Sequence, residues 1–520
     1  MTDITHPAFN LLDEPWIPVR SQDGAVLDVS LSEAILHADE YAALAETSPP
    51  NLIALYRLLL AVLHRALTTH HGPWKDADRA RWFRLGLPRE PLRAYLEQWR
   101  ERFWQFHPAA PFIQMALLDT AQETGDKQKP WSQISLESAN GNAPVVFDHS
   151  LDTRPQAIPY AQALRMLLGY CQFTPGGLVK VFRDSDKAGP LANTASVLPT
   201  GKSLEKTLLL ALHPCKSRHE DLPAWEKPSP VQAQVETSPT LATGPNDRYT
   251  RQTRAVVLLR KPAPGLITHI RFGAGLALGD DPNSPDPMAA YRINKDGKAI
   301  RITYTEGRAI WRDLPSLLPD SARRSDIPPA VLDWAANLND ALGEYDAEIP
   351  LLSAGLASDQ AKLLRWRVDQ IVLPHAVLMD SGAAAELRAQ VRRGEETYSR
   401  LRGFCTDMAT LIQPDPKHKE TRAKARNMID QGPASAVFFS TVERSLPQLM
   451  RQIAANDFET AAEEWNTALT IAAKNAWEAV CRTLGDTPAA LRAEAKIWPG
   501  FQGWLKSFAP TDTQTKEMTP

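Results

Sequence analysis

The last third of the chain constrains the fold most. Past Pro328, the segments Val331 to Leu342, Gln360 to Val372, Ala384 to Met408, Ala434 to Ala454 and Phe458 to Leu484 place apolar residues at helical spacing, with few strand-like runs between them. Amphipathic helices that follow one another closely bury their stripes against each other, so a helix bundle from about residue 368 onward is expected. The remainder reads differently. The 42 prolines and 14 tryptophans point to many irregular connections held against a rigid aromatic core. At 520 residues the chain exceeds one ordinary core. The expectation is an α+β protein: a large mixed N-terminal domain with irregular loops over residues 1–367, then an α-helical bundle over residues 368–520.

Within the first part, Phe9 to Val19 carries two prolines in an apolar run and reads as an extended or edge segment, with Asp23-Gly24 as a hairpin turn before Val26 to Val29. Ser30 or Ser32 can cap the next helix. Asn51 to Leu67 reads as a buried helix. Pro91 to Phe106 reads as a helix whose aromatic stripe belongs to a core rather than to a base-stacking platform. Between Asp119 and Pro159 periodicity fails, and a loop of that length is either functional or disordered. Arg254 to Leu259, Leu266 to Phe272, Ala289 to Ile293 and Ala299 to Tyr304 have strand composition. The helix over Tyr160 to Tyr170 breaks abruptly at Gln172-Phe173-Thr174-Pro175-Gly176-Gly177-Leu178. Two readings stand for this break. It is a helix stop with a Pro-Gly turn, or it is a place where bare backbone lets a polar polymer approach closely.

Charge and cysteine usage narrow the function. Net charge is −3, so any nucleic-acid surface must be local. Arg388 to Arg426 holds ten Lys/Arg against five Asp/Glu, and Arg248, Arg251, Arg254, Arg260 and Lys261 form a second cluster. The first is either a solvated helix face or an electrostatic track for phosphates. Cys171, Cys215, Cys405 and Cys481 are scattered with no CxxC pair, which argues against a structural zinc and for a reducing compartment. The first residues show no signal-peptide pattern, and the longest apolar run, Leu58 to Leu63, falls short of the ~20 residues of a membrane span. A soluble, cytoplasmic protein without a membrane partner is expected. Leu198 to Ser203 ends like a phosphate-binding loop but lacks the first glycine and a preceding strand. Asp184, Asp186, Asp280 and Asp281 lie in turn-like sequence with no nearby histidine, so a metal-dependent nuclease is a weak alternative. Neither a catalytic set nor a cofactor is expected.

Phe9-Asn-Leu-Leu-Asp-Glu-Pro-Trp-Ile-Pro-Val19 resembles the start of the large, CasA-type subunit of the type I-E CRISPR surveillance complex, Cascade. The resemblance continues at Trp99, Phe103, His107, Pro111-Phe112 and Gln114, in the helix running into Gln172 to Gly177, at Leu222 to Pro228, and over Pro350 to Arg367. It follows the same order over nearly the whole chain. The resemblance implies a C-terminal four-helix bundle and a non-catalytic DNA reader. Such a subunit recognises a short protospacer-adjacent motif in double-stranded DNA, largely from the minor groove. It then helps guide RNA open the duplex and recruits a helicase-nuclease, working alongside the other Cascade subunits and the CRISPR RNA. By the same resemblance, Phe173, Thr174, Pro175, Gly176 and Gly177 form a motif-reading glycine loop. Asp359, Gln360 and Ala361 form a wedge tipped by Gln360, Arg271 is the basic finger, and Val146, Phe147, Asp148 and His149 contact the complex. Two departures stand out. This chain lacks the cysteine pairs that some members carry, and Asp359 places a carboxylate where an asparagine would repel phosphate less. The alternative within the same setting is a scaffold subunit that docks protein and RNA but reads no DNA.

Overall fold

The computed structural model describes residues 6–120, 124, 127–138, 151–215, 220–237, 239–261, 265–281, 283–305, 307–319, 326–359 and 362–508. The chain forms two compact units. The first comprises residues 1–310 and 322–372, the second residues 311–321 and 373–520.

The first unit is built around helix α1 (Pro49–His71), which starts with proline at its first positions, where the missing N–H costs nothing, and stops at Gly72 in a positive-φ conformation. Leu55, Leu58, Leu59, Leu60, Leu63 and Leu67 are all buried, so the helix is apolar around its whole circumference and lies inside the unit. It is long and apolar enough to cross a membrane, longer than the Leu58 to Leu63 run suggests, but 89% of the qualifying stretch is buried here. Its few polar side chains organise the surroundings. Arg57 donates to Gln172 at 2.8 Å and pairs with Asp286, with both side chains fully buried. Arg65 grips Glu226 through two 2.7 Å bonds, and Tyr95, which accepts from Trp225, donates to the same carboxylate. That explains the Leu222 to Pro228 motif as an internal staple. Helix α2 (Tyr160–Phe173) packs against α1, and Gly169 permits the close approach because a Cβ there would overlap Asn51.

After α2 the chain forms a short hairpin of β1 (Gly177–Val181) and β2 (Arg183–Asp186). It continues to β3 (Ala195–Pro199) and, much later, to the antiparallel pair β4 (Arg254–Arg260) and β5 (Leu266–Ala274). The tip of the β1–β2 hairpin packs on one face of β4–β5: Val181 is buried with Met115, Leu118, Ala255, Val257 and Ala274, and Phe182 rests against them. Gly273 makes room, since a Cβ there would meet Val181 at 2.9 Å and Leu118 at 3.2 Å. A three-stranded sheet has the order β3, β6 (Glu348–Asp359), β7 (Lys362–Pro374), with Ala195 opposite Gly355 and Pro199 opposite Leu351.

Two elements differ from the sequence reading. Of the stretch Gln360 to Val372, expected to be helical, the described part from Lys362 onward is β7. Its apolar residues fit both periods, but Val368, Ile371 and Val372 are β-branched, and β6 offers a free edge to pair with. Pro91 to Phe106 is not one helix: Arg89–Gln98 is helical, and Trp104–Phe106 is a strand paired with Ala8–Asn10.

The second unit is helical. Its elements are α3 (Ser381–Ile412), α4 (Lys419–Gln431), α5 (Ala434–Glu443), α6 (Leu446–Ala454), α7 (Phe458–Leu484) and α8 (Pro488–Lys506). The stretch expected as one helix over Ala434 to Ala454 is two, broken before Pro447. Helix α7 packs against α3, α5, α6 and α8, while α4 lies against α3. The segment 311–321 joins this unit through Trp311, which is buried between Phe439 and Trp465. Beside it, the Arg312 guanidinium lies over the Phe439 ring and pairs with Glu395 at 2.6 Å.

Candidate nucleic-acid interface

Helix α2 ends because Pro175 cannot continue it, and Thr174 leaves the helical region at ψ 131°. Phe173 and Thr174 are buried, so they root the turn in the core rather than face a ligand. Pro175 and Gly176 are partly exposed, while Gly177 and Leu178 are exposed, the latter at 76% of its surface. Gly177 sits at φ 152°, a conformation that favours glycine, and Gly176 lies so close to residues 186–188 that a Cβ would meet the Ala188 nitrogen at 3.1 Å. Lys180 and Phe182 both adopt φ near 60° at the hairpin tip, at 62° and 64° respectively.

A buried ionic network holds this turn from beneath. Arg254 is 2% exposed and donates to the Pro175 carbonyl at 2.9 Å and the Lys187 carbonyl at 2.8 Å. Its guanidinium also lies 3.1 Å from Asp186, which accepts from Arg183 at 2.6 Å and from the Gly275 and Lys187 backbone N–H groups at 2.9 Å. Every carbonyl and carboxylate in the network therefore has a donor, and the loop backbone has little freedom. The Gly189 N–H bonds to the Thr174 carbonyl at 2.8 Å, and Leu191 N–H bonds to the Gln172 carbonyl at 2.8 Å, which caps the end of α2.

The same segment leads to the second candidate element. Residues 186–194 run from beneath Gly176 to Ala195, which pairs with Gly355. Asp359 ends β6 only four positions further on, a reach of about 13 Å along a strand. Gln360 and Ala361, the expected wedge tip, lie outside the described residues, as do Val146, Phe147, Asp148 and His149.

Arg271, the expected basic finger, is held within a strand. It lies in the middle of β5 opposite Val257, its side chain only 16% exposed and paired with Asp119. The second basic cluster is also mostly internal. Arg248 is buried and donates to the Ser284 carbonyl, Arg251 is buried against Thr240 and Asp247, and Arg254 serves the loop network. Arg260 and Lys261 alone of the five remain partly exposed. Sequence reasoning missed the Arg254–Asp186 pair, because no local pattern separates a buried arginine from a surface one. In the helical unit, Arg402 pairs with Asp430 and Arg422 with Asp407, which answers part of the excess charge over 388–426.

Asp186, a candidate in the nuclease alternative, is consumed by the network, Asp280 pairs with Lys187 at 3.3 Å, and Asp281 closes a turn onto the Asn283 N–H. No group of three or more His, Cys, Asp or Glu placed to hold a metal occurs among the described residues.

Comparison with known proteins gives a consistent picture. A family model described as CRISPR-associated protein Cse1 matches residues 10–476. A CRISPR-associated protein CasA/Cse1 from Thermus thermophilus is 35% identical over 501 residues, covering 94% of this chain and 95% of the relative. The solved Thermus thermophilus CasA (Cse1) superposes with a TM-score of 0.82 at 32% identity, covering 96% of this chain and all of that one. A chain from a structure described as a CRISPR RNA-guided surveillance complex has the same fold, with a TM-score of 0.72 at 20% identity over 96% of this chain and all of that one.

Proposed function

The chain belongs to the Cse1 (CasA) family of CRISPR-associated proteins, and from that premise we infer that it is the large subunit of a type I-E CRISPR RNA-guided surveillance complex that reads a short motif in duplex DNA. Its partners are the other subunits, the guide RNA, the target duplex and the helicase-nuclease that it recruits, and it works by binding rather than by catalysis. One observation carries this reading: an exposed glycine turn, Gly176-Gly177-Leu178, is immobilised by the buried Arg254–Asp186 network.

The minor groove is narrow and its donor–acceptor pattern degenerate, so a reader needs bare backbone that can approach closely and a conformation that does not yield. Gly176 and Gly177 supply the first and the network supplies the second. The link through residues 186–194, from beneath Gly176 to the pairing of Ala195 with Gly355, supports a joint role for the glycine turn and the Asp359, Gln360 and Ala361 segment. A side chain wedged between base pairs offsets an unstacking cost of a few kcal/mol. Because exchange of the DNA duplex for an RNA–DNA duplex is close to balanced, a small push at the first base pairs gates the whole reaction.

The test uses assembled complex carrying Gly176→Asp or Gln360→Ala, with target DNA that has or lacks the adjacent motif, at low and high salt. Loss of motif discrimination with retained assembly supports the reading. Unchanged discrimination in both variants sinks it and favours a scaffold that docks protein and RNA alone. Cleavage of DNA by the isolated chain with Mg²⁺ or Mn²⁺ would revive the nuclease alternative.

A further inference from the structure

An open cavity in the first unit lies beside the motif-reading hairpin, not within it. It has a volume of about 530 Å³, within the range of small-ligand sites. Three separate stretches supply its charge: His107 follows the strand Trp104–Phe106, Arg260 and Lys261 end β4, and His269 and Arg271 point from one face of β5. Gly273, next on that face, is where the hairpin tip rests, so the cavity and the hairpin share one sheet surface. Three permanent cations face one carboxylate, Asp119, which is held by Arg271.

The cavity's donors are arranged for an anion. The His107 Nδ1 accepts from the backbone N–H groups of Ala109 and Ala110, at 3.1 and 3.0 Å, so the neutral ring carries its proton on Nε2. Lys261 has no hydrogen-bond or ion-pair partner among the described residues. The Arg260 guanidinium lies 5.7 Å from the Phe106 ring centroid, within cation–π range, and donates to the His6 carbonyl at 3.3 Å. Between these groups the walls are apolar, formed by Pro111, Pro155, Val257 and Leu259. Cations and donors beside apolar walls match the chemistry of a nucleotide, with a phosphate for the charges and a sugar and base for the walls.

We propose that this cavity binds an unpaired nucleotide of a single-stranded nucleic acid, separately from duplex motif reading. The duplex cannot be its ligand, because a paired base is stacked and cannot enter a cavity of this volume without leaving the helix.

The test is fluorescence anisotropy of the full chain with short labelled single-stranded RNA, the same sequence as single-stranded DNA, and a blunt duplex, over a salt series. The variants are Lys261→Ala, the pair Arg260→Ala with Lys261→Ala, and Lys424→Ala with Arg426→Ala on the exposed face of α4 as a basic control. Lys261 is unpartnered and partly exposed, so its substitution leaves the fold intact, which thermal melting verifies. The expected result is weaker single-strand binding, about tenfold for the double cavity variant, with the salt slope reduced by about 0.7 for each cation removed. The α4 pair should leave both unchanged. Binding of RNA over DNA, or the reverse, identifies the strand it takes. Unaltered single-strand affinity in the cavity variants, or loss in the α4 variant alone, overturns the proposal. Duplex discrimination by the complex is read in a different assay, so failure of this site leaves motif reading untouched, and the converse holds.

Discussion

At the scale of single residues, the first unit stores its constraint in buried polar groups. His64 on α1 and His213 stack at 3.7 Å between ring centroids inside the core. Burial pushes both imidazoles down, His64 further by the neighbouring His213, while Asp221 pulls His213 partly back. The sign follows from which state binds more protons. Below the unfolded value of about 6.5 the unfolded chain takes up protons that the folded core refuses, so stability falls as pH falls through that value and is unaffected above it. Thermal melts should therefore drop between neutral and mildly acidic pH, and His64→Phe should flatten the drop. A pH-independent wild-type midpoint would contradict this assignment. Arg254 gives a second test. Arg254→Met leaves Asp186 buried beside only Arg183, and breaking a buried pair on one side costs about 3–5 kcal/mol, measured by denaturant unfolding. Motif discrimination should weaken with it, even though Arg254 touches no ligand.

The same residues show what sequence alone conveys. Helix α2 and its stop were legible because apolar spacing and Pro175 are local facts. The resemblance puts Phe173 and Thr174 in the reading loop, yet the helix end turns them inward. Arg248, Arg251 and Arg254 read as part of a basic cluster, and only the non-local positions of Ser284, Thr240 and Asp186 show that they are internal. Burial of a charge depends on partners far along the chain, and no window of sequence contains them.

At the scale of elements, the junction between β3 and β6 joins the two candidate reading segments. Gly355 belongs there because a Cβ would meet the Thr194 carbonyl at 2.8 Å and the Ala195 Cα at 3.0 Å. Gly355→Val should cost about 1–3 kcal/mol of stability by overpacking. It should also impair motif discrimination in the assembled complex, although it lies in neither loop. Intact discrimination would mean that the hairpin and the glycine turn act independently. The misreading of β7 as a helix belongs to this scale too. Its apolar spacing suits either structure, and its pairing with β6 decided the outcome.

At the scale of the molecule, the helical unit is not a contiguous piece of sequence. Periodicity located α3 in part and α7, Phe458–Leu484, to the residue, but it missed α4 and α8, and nothing in residues 311–321 marked them as part of the unit. Trp311 is 2% exposed between Phe439 and Trp465, so Trp311→Ala should destabilise this unit by about 3–5 kcal/mol through the cavity it leaves. A fragment starting at residue 373 should unfold at lower denaturant than the same fragment supplied with a 311–321 peptide. Equal midpoints would show that the segment is ornamental.

The central claim is that the glycine turn and the β6–β7 tip meet one stretch of DNA. Photo-crosslinking from position 178 and from position 360, in assembled complex on motif-bearing target, tests it most directly. The account predicts crosslinks from both positions to the same motif base pairs, lost when the motif is scrambled. Crosslinks to separate regions, or from neither position, would contradict it.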